Sequence, residues 1–123
     1  MIVMAFQSAY GNATGPDASD VLASITVPAP GYYEVVVAGY IDGKATSADE
    51  DNIKLQSDPE TADTYADVAV VLLTWTPAFQ RAVVYAQSTI CVVAIADGGD
   101  DAVYHVNLSA ENLYANADPI VDV

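Results

Sequence analysis

Three stretches of the chain alternate apolar and polar positions with a period of two, the mark of a strand with one buried and one wet face. In residues 23–28, Ala23, Ile25 and Val27 alternate with Ser24 and Thr26; in 52–56, Ile53 and Leu55 alternate with Lys54 and Gln56. In 102–109, Tyr104, Val106 and Leu108 alternate with His105 and Asn107. Other stretches are apolar at both parities: 32–41 (YYEVVVAGYI), 68–76 (VAVVLLTWT), and the pair 81–87 (RAVVYAQ) and 89–96 (TICVVAIA). They are rich in Val, Ile, Thr and Tyr. Turn residues bound them at Pro30-Gly31, Asp42-Gly43, Thr76-Pro77 and Asp97-Gly98-Gly99-Asp100, so they predict strands, not helices. The expected count is seven or eight strands with no long helix.

Short strands separated by turns predict an all-β protein, an antiparallel β-sandwich or barrel. Strands that are oily on both faces need a second cover, and another copy of the chain supplies it most simply; a homo-oligomer, such as a ring, is expected. Residues 1–20 are small, polar and punctuated by Gly, Asn and Pro after a short apolar start, and predict an N-terminal arm. Residues 21–109 predict the sandwich domain, and 110–123 an extended C-terminal segment with Leu113, Tyr114, Ile120 and Val121 as apolar anchors. Such arms lace subunits together when they lie on a neighbour.

Charge sharpens this picture. Seventeen acids stand against three bases, Lys44, Lys54 and Arg81, for a net charge of −14 on 123 residues that are 53% hydrophobic. From Val68 to Ala96 the one charged residue is Arg81, whereas 42–67 holds Asp42, Asp49, Glu50, Asp51, Asp58, Glu60, Asp63 and Asp67. A surface this acidic repels phosphate backbones, so neither nucleic acid nor an anionic membrane surface is an expected partner. Pro77 interrupts the oiliest run, 68–79, well short of the ~18 apolar residues of a membrane helix.

The candidate chemistry is sparse. Asp42, Asp49, Glu50 and Asp51 are weak calcium candidates, since closely spaced carboxylates with backbone carbonyls can supply six to eight oxygens. Their spacing does not fit an EF-hand loop. The same loop reads equally as a solvated, self-repelling connection or as an acidic patch facing a basic partner. Asp97, Asp100 and Asp101 are weaker still. His105 lies on the polar parity of its strand, and with no G-x-S-x-G elbow or second metal ligand in reach it reads as a surface or interface residue. Cys91, the one cysteine, reads as a buried inert thiol. No catalytic residue and no cofactor is expected. Tyr32, Tyr33, Tyr40, Trp75, Tyr85, Tyr114 and Ile120 are the interface candidates, because aromatic side chains bury large areas between subunits and keep a polar handle.

Residues 24–41, SITVPAPGYYEVVVAGYI, resemble the stretch of tumour-necrosis-factor and complement-type jelly rolls in which a strand ends in a Pro-Gly turn and restarts on an aromatic pair. ATSADEDNIKL (45–55) and VYAQSTICVVAIAD (84–97) look like phrases of bacteriophage virion proteins, small β-rich capsid decoration, cement or head-fibre modules. The resemblance implies a jelly roll, trimeric in most relatives, that reinforces a capsid by contact with the major capsid protein or another virion protein. An alternative is a trimeric fibre or adhesin module that binds a host surface or a carbohydrate.

Overall fold

The computed structural model describes residues 7–14, 19–42, 51–73, 77–95 and 103–113. These form eight strands: β1 (Gln7–Thr14), β2 (Val21–Thr26), β3 (Gly31–Asp42), β4 (Asp51–Ser57), β5 (Ala66–Leu73), β6 (Ala78–Ala86), β7 (Thr89–Ala94) and β8 (Val103–Asn112). Two four-stranded antiparallel sheets result, ordered β1-β8-β3-β6 and β2-β7-β4-β5. The first strand pairs with the last, the second with the seventh, the third with the sixth and the fourth with the fifth. A long hairpin wound up in this way is a jelly roll.

The period-two pattern decides which side chains meet between the sheets. Tyr33, Val35, Val37 and Ile41 of β3, Ile53 and Leu55 of β4, Ile90 and Val92 of β7, and Tyr104, Val106 and Leu108 of β8 are all buried there. Ile53 and Leu55, and Tyr104, Val106 and Leu108, are the inward parities read from the alternating stretches. In β2 the register shifts between Val21 and Ala23, and this bulge turns both Leu22 and Ala23 inward.

Two elements differ from the sequence reading. Gln7–Thr14, within the stretch expected to be an arm, is the edge strand of the first sheet, and β8 runs on to Asn112 beyond the expected domain end at 109. Gly11 shows why β1 fits: a Cβ there would lie 1.6 Å from the carbonyl oxygen of Leu22, so only glycine lets β1 cross so close to β2. The second difference is β7. Both of its faces are buried inside one chain, Cys91 and Val93 as well as Ile90, Val92 and Ala94, so this oily strand requires no second subunit. It is flanked by β2 and β4, and Gln56 Oε1 of β4 stands 4.0 Å from the Cys91 sulfur. Burial and the nearby Asp58 charge push the Cys91 thiol up to about 11, which keeps it neutral and inert.

One end of the sandwich is pinned by a buried carboxylate. Asp58 follows β4 and reaches the β6–β7 turn, where its Oδ1 accepts from the backbone N–H groups of Gln87, Ser88 and Thr89 at 2.9, 3.0 and 3.1 Å. Its Oδ2 accepts from the N–H of Asp63 at 2.9 Å and from the Ser88 hydroxyl. Asp63 turns its N–H inward from a left-handed conformation (φ 64°), which aspartate tolerates better than most residues. Burial raises the Asp58 pKa, but the bonds from Ser88, Asp63 and Thr89 outweigh it and hold the carboxyl well below the usual carboxylate range.

Candidate interaction face

The outward parity of the first sheet carries a different set of side chains. Register places Tyr10, Asn107, Ala38 and Phe79 in one row across the four strands, with Asn12, His105 and Tyr40 in the next row. On the other side come Ser8, Ser109, Val36 and Arg81, and then Glu111, Glu34 and Val83. Four of the large apolar residues are open to solvent: Phe79 is 70% exposed, Tyr10 63%, Val83 58% and Tyr32 45%. Surface hydrophobics scattered singly are ordinary; several on one flat face mark an interaction site.

Aromatic contacts organise the face. His105 stacks on Tyr40 with ring centroids 4.5 Å apart and planes at 12°. Its Nδ1 is hydrogen-bonded to the Tyr10 hydroxyl at 3.0 Å, while Nε2 is buried with no hydrogen-bond partner. Tyr32 and Tyr85, register partners on β3 and β6, meet edge to face at 4.9 Å. A shallow, almost wholly apolar groove of about 190 Å³ runs between Tyr10, Tyr40, Pro77, His105 and Asn107. Charge on the face is uneven: Glu34 and Glu111 are register partners on neighbouring strands, and Arg81 lies one row away on β6.

The interface candidates divide. Tyr32, Tyr40 and Tyr85 lie on this outward face, as does His105. Tyr33 belongs to the core instead: its parity turns the ring inward and its hydroxyl donates to the carbonyl of Ala29 in the turn before β3. Trp75, Tyr114 and Ile120 lie outside the described residues. Of the calcium candidates, Asp42 ends β3 and Asp51 begins β4, while Asp49 and Glu50, with Asp97, Asp100 and Asp101, lie outside the described residues. Among the described residues no three His, Cys, Asp or Glu side chains are grouped to hold a metal ion.

Sequence reasoning missed Tyr10, Phe79, Val83 and Arg81 as members of the face. The signal for Phe79 and Val83 lay in β6, where outward Phe79, Val83 and Tyr85 are as apolar as inward Ala82, Val84 and Ala86. Tyr10 carried no such signal, because its polar, glycine-containing surroundings read as an arm. The face offers apolar area, aromatic planes and a few charges. It suits recognition of another surface.

No protein-family model matches the chain, and no curated protein matches it. Solved structures do. The chain is similar to the Eiger TNF of S. frugiperda, with a TM-score of 0.58 at 14% identity over 89% of this chain and 94% of that one. It is similar to the globular domain of zebrafish complement 1qA protein, with a TM-score of 0.57 at 14% identity over 86% and 95%. The PRD1 vertex protein P5 gives a TM-score of 0.50 at 10% identity over 91% and 99%. The fold is therefore that of the jelly rolls of the tumour-necrosis-factor and complement type, and a phage vertex protein shares it. No helix among the described residues is long and apolar enough to cross a membrane.

Proposed function

We propose that the chain is a non-enzymatic structural subunit of a virus particle, a homo-oligomer, most simply a trimer, seated on the capsid as cement or decoration. The observation that carries this reading is the outward face of the first sheet, where Tyr10, Tyr32, Phe79 and Val83 are exposed together. Those side chains have a use when another protein surface covers them. The likeness to a phage vertex protein supports a place in the virion, and the likeness to tumour-necrosis-factor and complement modules supports a binding or reinforcing role. Contact with the major capsid protein or another virion protein would stabilise the shell by mass action, since whatever binds only the assembled state favours it. The −14 charge argues against nucleic acid as the partner.

The test is to measure the mass of the purified chain and then its binding to empty capsids. An oligomer that binds capsids and raises their melting temperature is the expected result; a monomer that ignores them contradicts the proposal. The groove along Tyr10, Tyr40, His105 and Asn107 favours a second reading, a fibre or adhesin module with an aromatic platform for a carbohydrate. Binding to host cells or to a glycan array, without capsid binding, would select that reading.

A further inference from the structure

We infer that the free edge of β6 is a docking site for an extended strand of a partner protein, one that sets a carboxylate beside Arg81 and apolar side chains beside Phe79 and Val83. The identity of that partner as a shell protein rests on the reading above; the edge adds how the partner is held. The sandwich has four edge strands, β1 and β6 in one sheet and β2 and β5 in the other. Three of them are blunted. Leu22 is an extra residue on β2, and Val68 is an extra residue on β5, where Leu55 pairs with Ala69 but Gln56 with Asp67. Such bulges break the even row of backbone groups that another strand would need. β1 is crossed by β2 at Gly11, where the Leu22 carbonyl leaves no room for a side chain. β6 has neither protection: it pairs with β3 in unbroken register from Gly31↔Ala86 to Gly39↔Ala78, and it contains no proline or glycine. Among the described residues no strand pairs with its other side.

Two hydrogen bonds show which backbone groups face that free side. The Arg81 carbonyl accepts from Gln80 Nε2 at 3.4 Å, and the Tyr85 carbonyl accepts from the Ser57 hydroxyl at 2.9 Å, so side chains take the place that β3 would hold. Residues of one parity direct their N–H and C=O groups the same way, which aims those of Phe79, Arg81 and Val83 outward as well. Tyr85 is already engaged by Ser57, and the open stretch is therefore 79–83. Phe79 and Val83 are 70% and 58% exposed, with Arg81 between them. Arg81 lies diagonally across from Glu34 on its β3 side, and its other side is the free edge. A strand added there places its same-face side chains directly beside these three, so the matching sequence is an acid with an apolar residue two positions to either side. Main-chain bonds would supply the affinity of such a strand and the alternate side chains its selectivity.

Two probes test this, empty capsids and a blocked peptide, Thr-Val-Thr-Glu-Thr-Val-Thr. In an amide NMR titration the peptide should shift the backbone signals of 79–83. Val83→Pro removes one N–H from the free side and leaves the pairing with β3 in place, and should weaken binding at least tenfold. Val83→Lys, which keeps every backbone donor, should weaken it about threefold, as should a peptide with lysine in place of its glutamate. Val70→Ser on the bulged β5 edge should leave binding within about twofold, and circular dichroism confirms that each variant is folded. Capsid co-sedimentation should follow the same order. A peptide that shifts no amide of β6 overturns the docking edge. Capsid binding that is equal in Val83→Pro and wild type overturns strand addition and leaves the capsid reading intact, whereas peptide binding without capsid binding supports the edge and removes that reading. An oligomer that falls to the mass of one chain in Val83→Pro would make β6 of a second copy the occupant and overturn the partner strand.

Discussion

The two sheets of this sandwich treat their outer surfaces in different ways. The second sheet is largely completed by its own chain: Cys91 and Val93 on its central strand are buried, and around them stand Ser24, Thr26, Lys54, Gln56 and Asp67. Its apolar exposures, Val21, Val68 and Val70, are aliphatic and lie on the edge strands β2 and β5. The first sheet leaves tyrosines, a phenylalanine and a histidine across all four strands. The difference separates what folding requires from what it does not. A jelly roll needs two inner faces, and one outer face closed by the chain leaves the other as the surface on which function can be built.

Among polar substitutions, the largest effect should come from breaking the pin at the end of the second sheet. Asp58→Ala strands the N–H groups of Ser88, Thr89 and Asp63 without their carboxylate acceptor, while that of Gln87 keeps the Asp58 carbonyl, and should lower unfolding free energy by about 3 kcal/mol in urea titration. A core truncation, Leu108→Ala, sets the scale, with about 2–5 kcal/mol expected for a fully buried leucine.

The same carboxylate predicts a response to acid. Its folded pKa lies below its unfolded value of about 3.9, so the stability it contributes is complete above roughly pH 4 and is lost as pH falls below that toward the folded pKa. Melting temperature measured from pH 6 downward should fall more steeply in the wild type than in Asp58→Asn. Cys91 gives the opposite sign at the other end. Its thiol pKa is raised in the fold to about 11, so its contribution is present below about pH 9 and is lost as pH rises toward 11. Cys91→Ala should flatten that alkaline decline.

The smallest effect on folding should come from the first sheet. Phe79→Ser on its outer face should change the unfolding free energy of the monomer, measured at dilution, by no more than about 0.5 kcal/mol, because an exposed side chain contributes little to a monomer. That variant should instead lose self-association. A large loss of folding stability would show that Phe79 packs within its own chain, and the comparison between the sheets would collapse.

Much of the fold was legible in the residues because a strand of period two declares its inner face wherever polar residues alternate. Ile53 and Leu55, like Tyr104, Val106 and Leu108, are buried as the pattern requires. Where both parities are apolar the pattern is silent. In β6 nothing local distinguishes buried Val84 from exposed Val83, and in β7 the cover over Cys91 and Val93 comes from non-local neighbours. β1 was hidden for another reason: Ser8, Gly11 and Asn12 are weak strand formers, and the strand exists because β8 offers an edge and Gly11 fits against Leu22. The Tyr10–His105–Tyr40 cluster joins three distant parts of the chain, so His105 could be placed on a wet face by its parity, but its companions could not.

The account's central claim, that the outward face of the first sheet is a contact surface between copies, is tested most directly by sedimentation equilibrium of the wild type beside a Tyr10→Ser, Phe79→Ser double variant. The account predicts a multiple of 12.9 kDa for the wild type and 12.9 kDa for the variant, with circular dichroism showing both folded. Equal masses for the two proteins, whether monomer or oligomer, would contradict it.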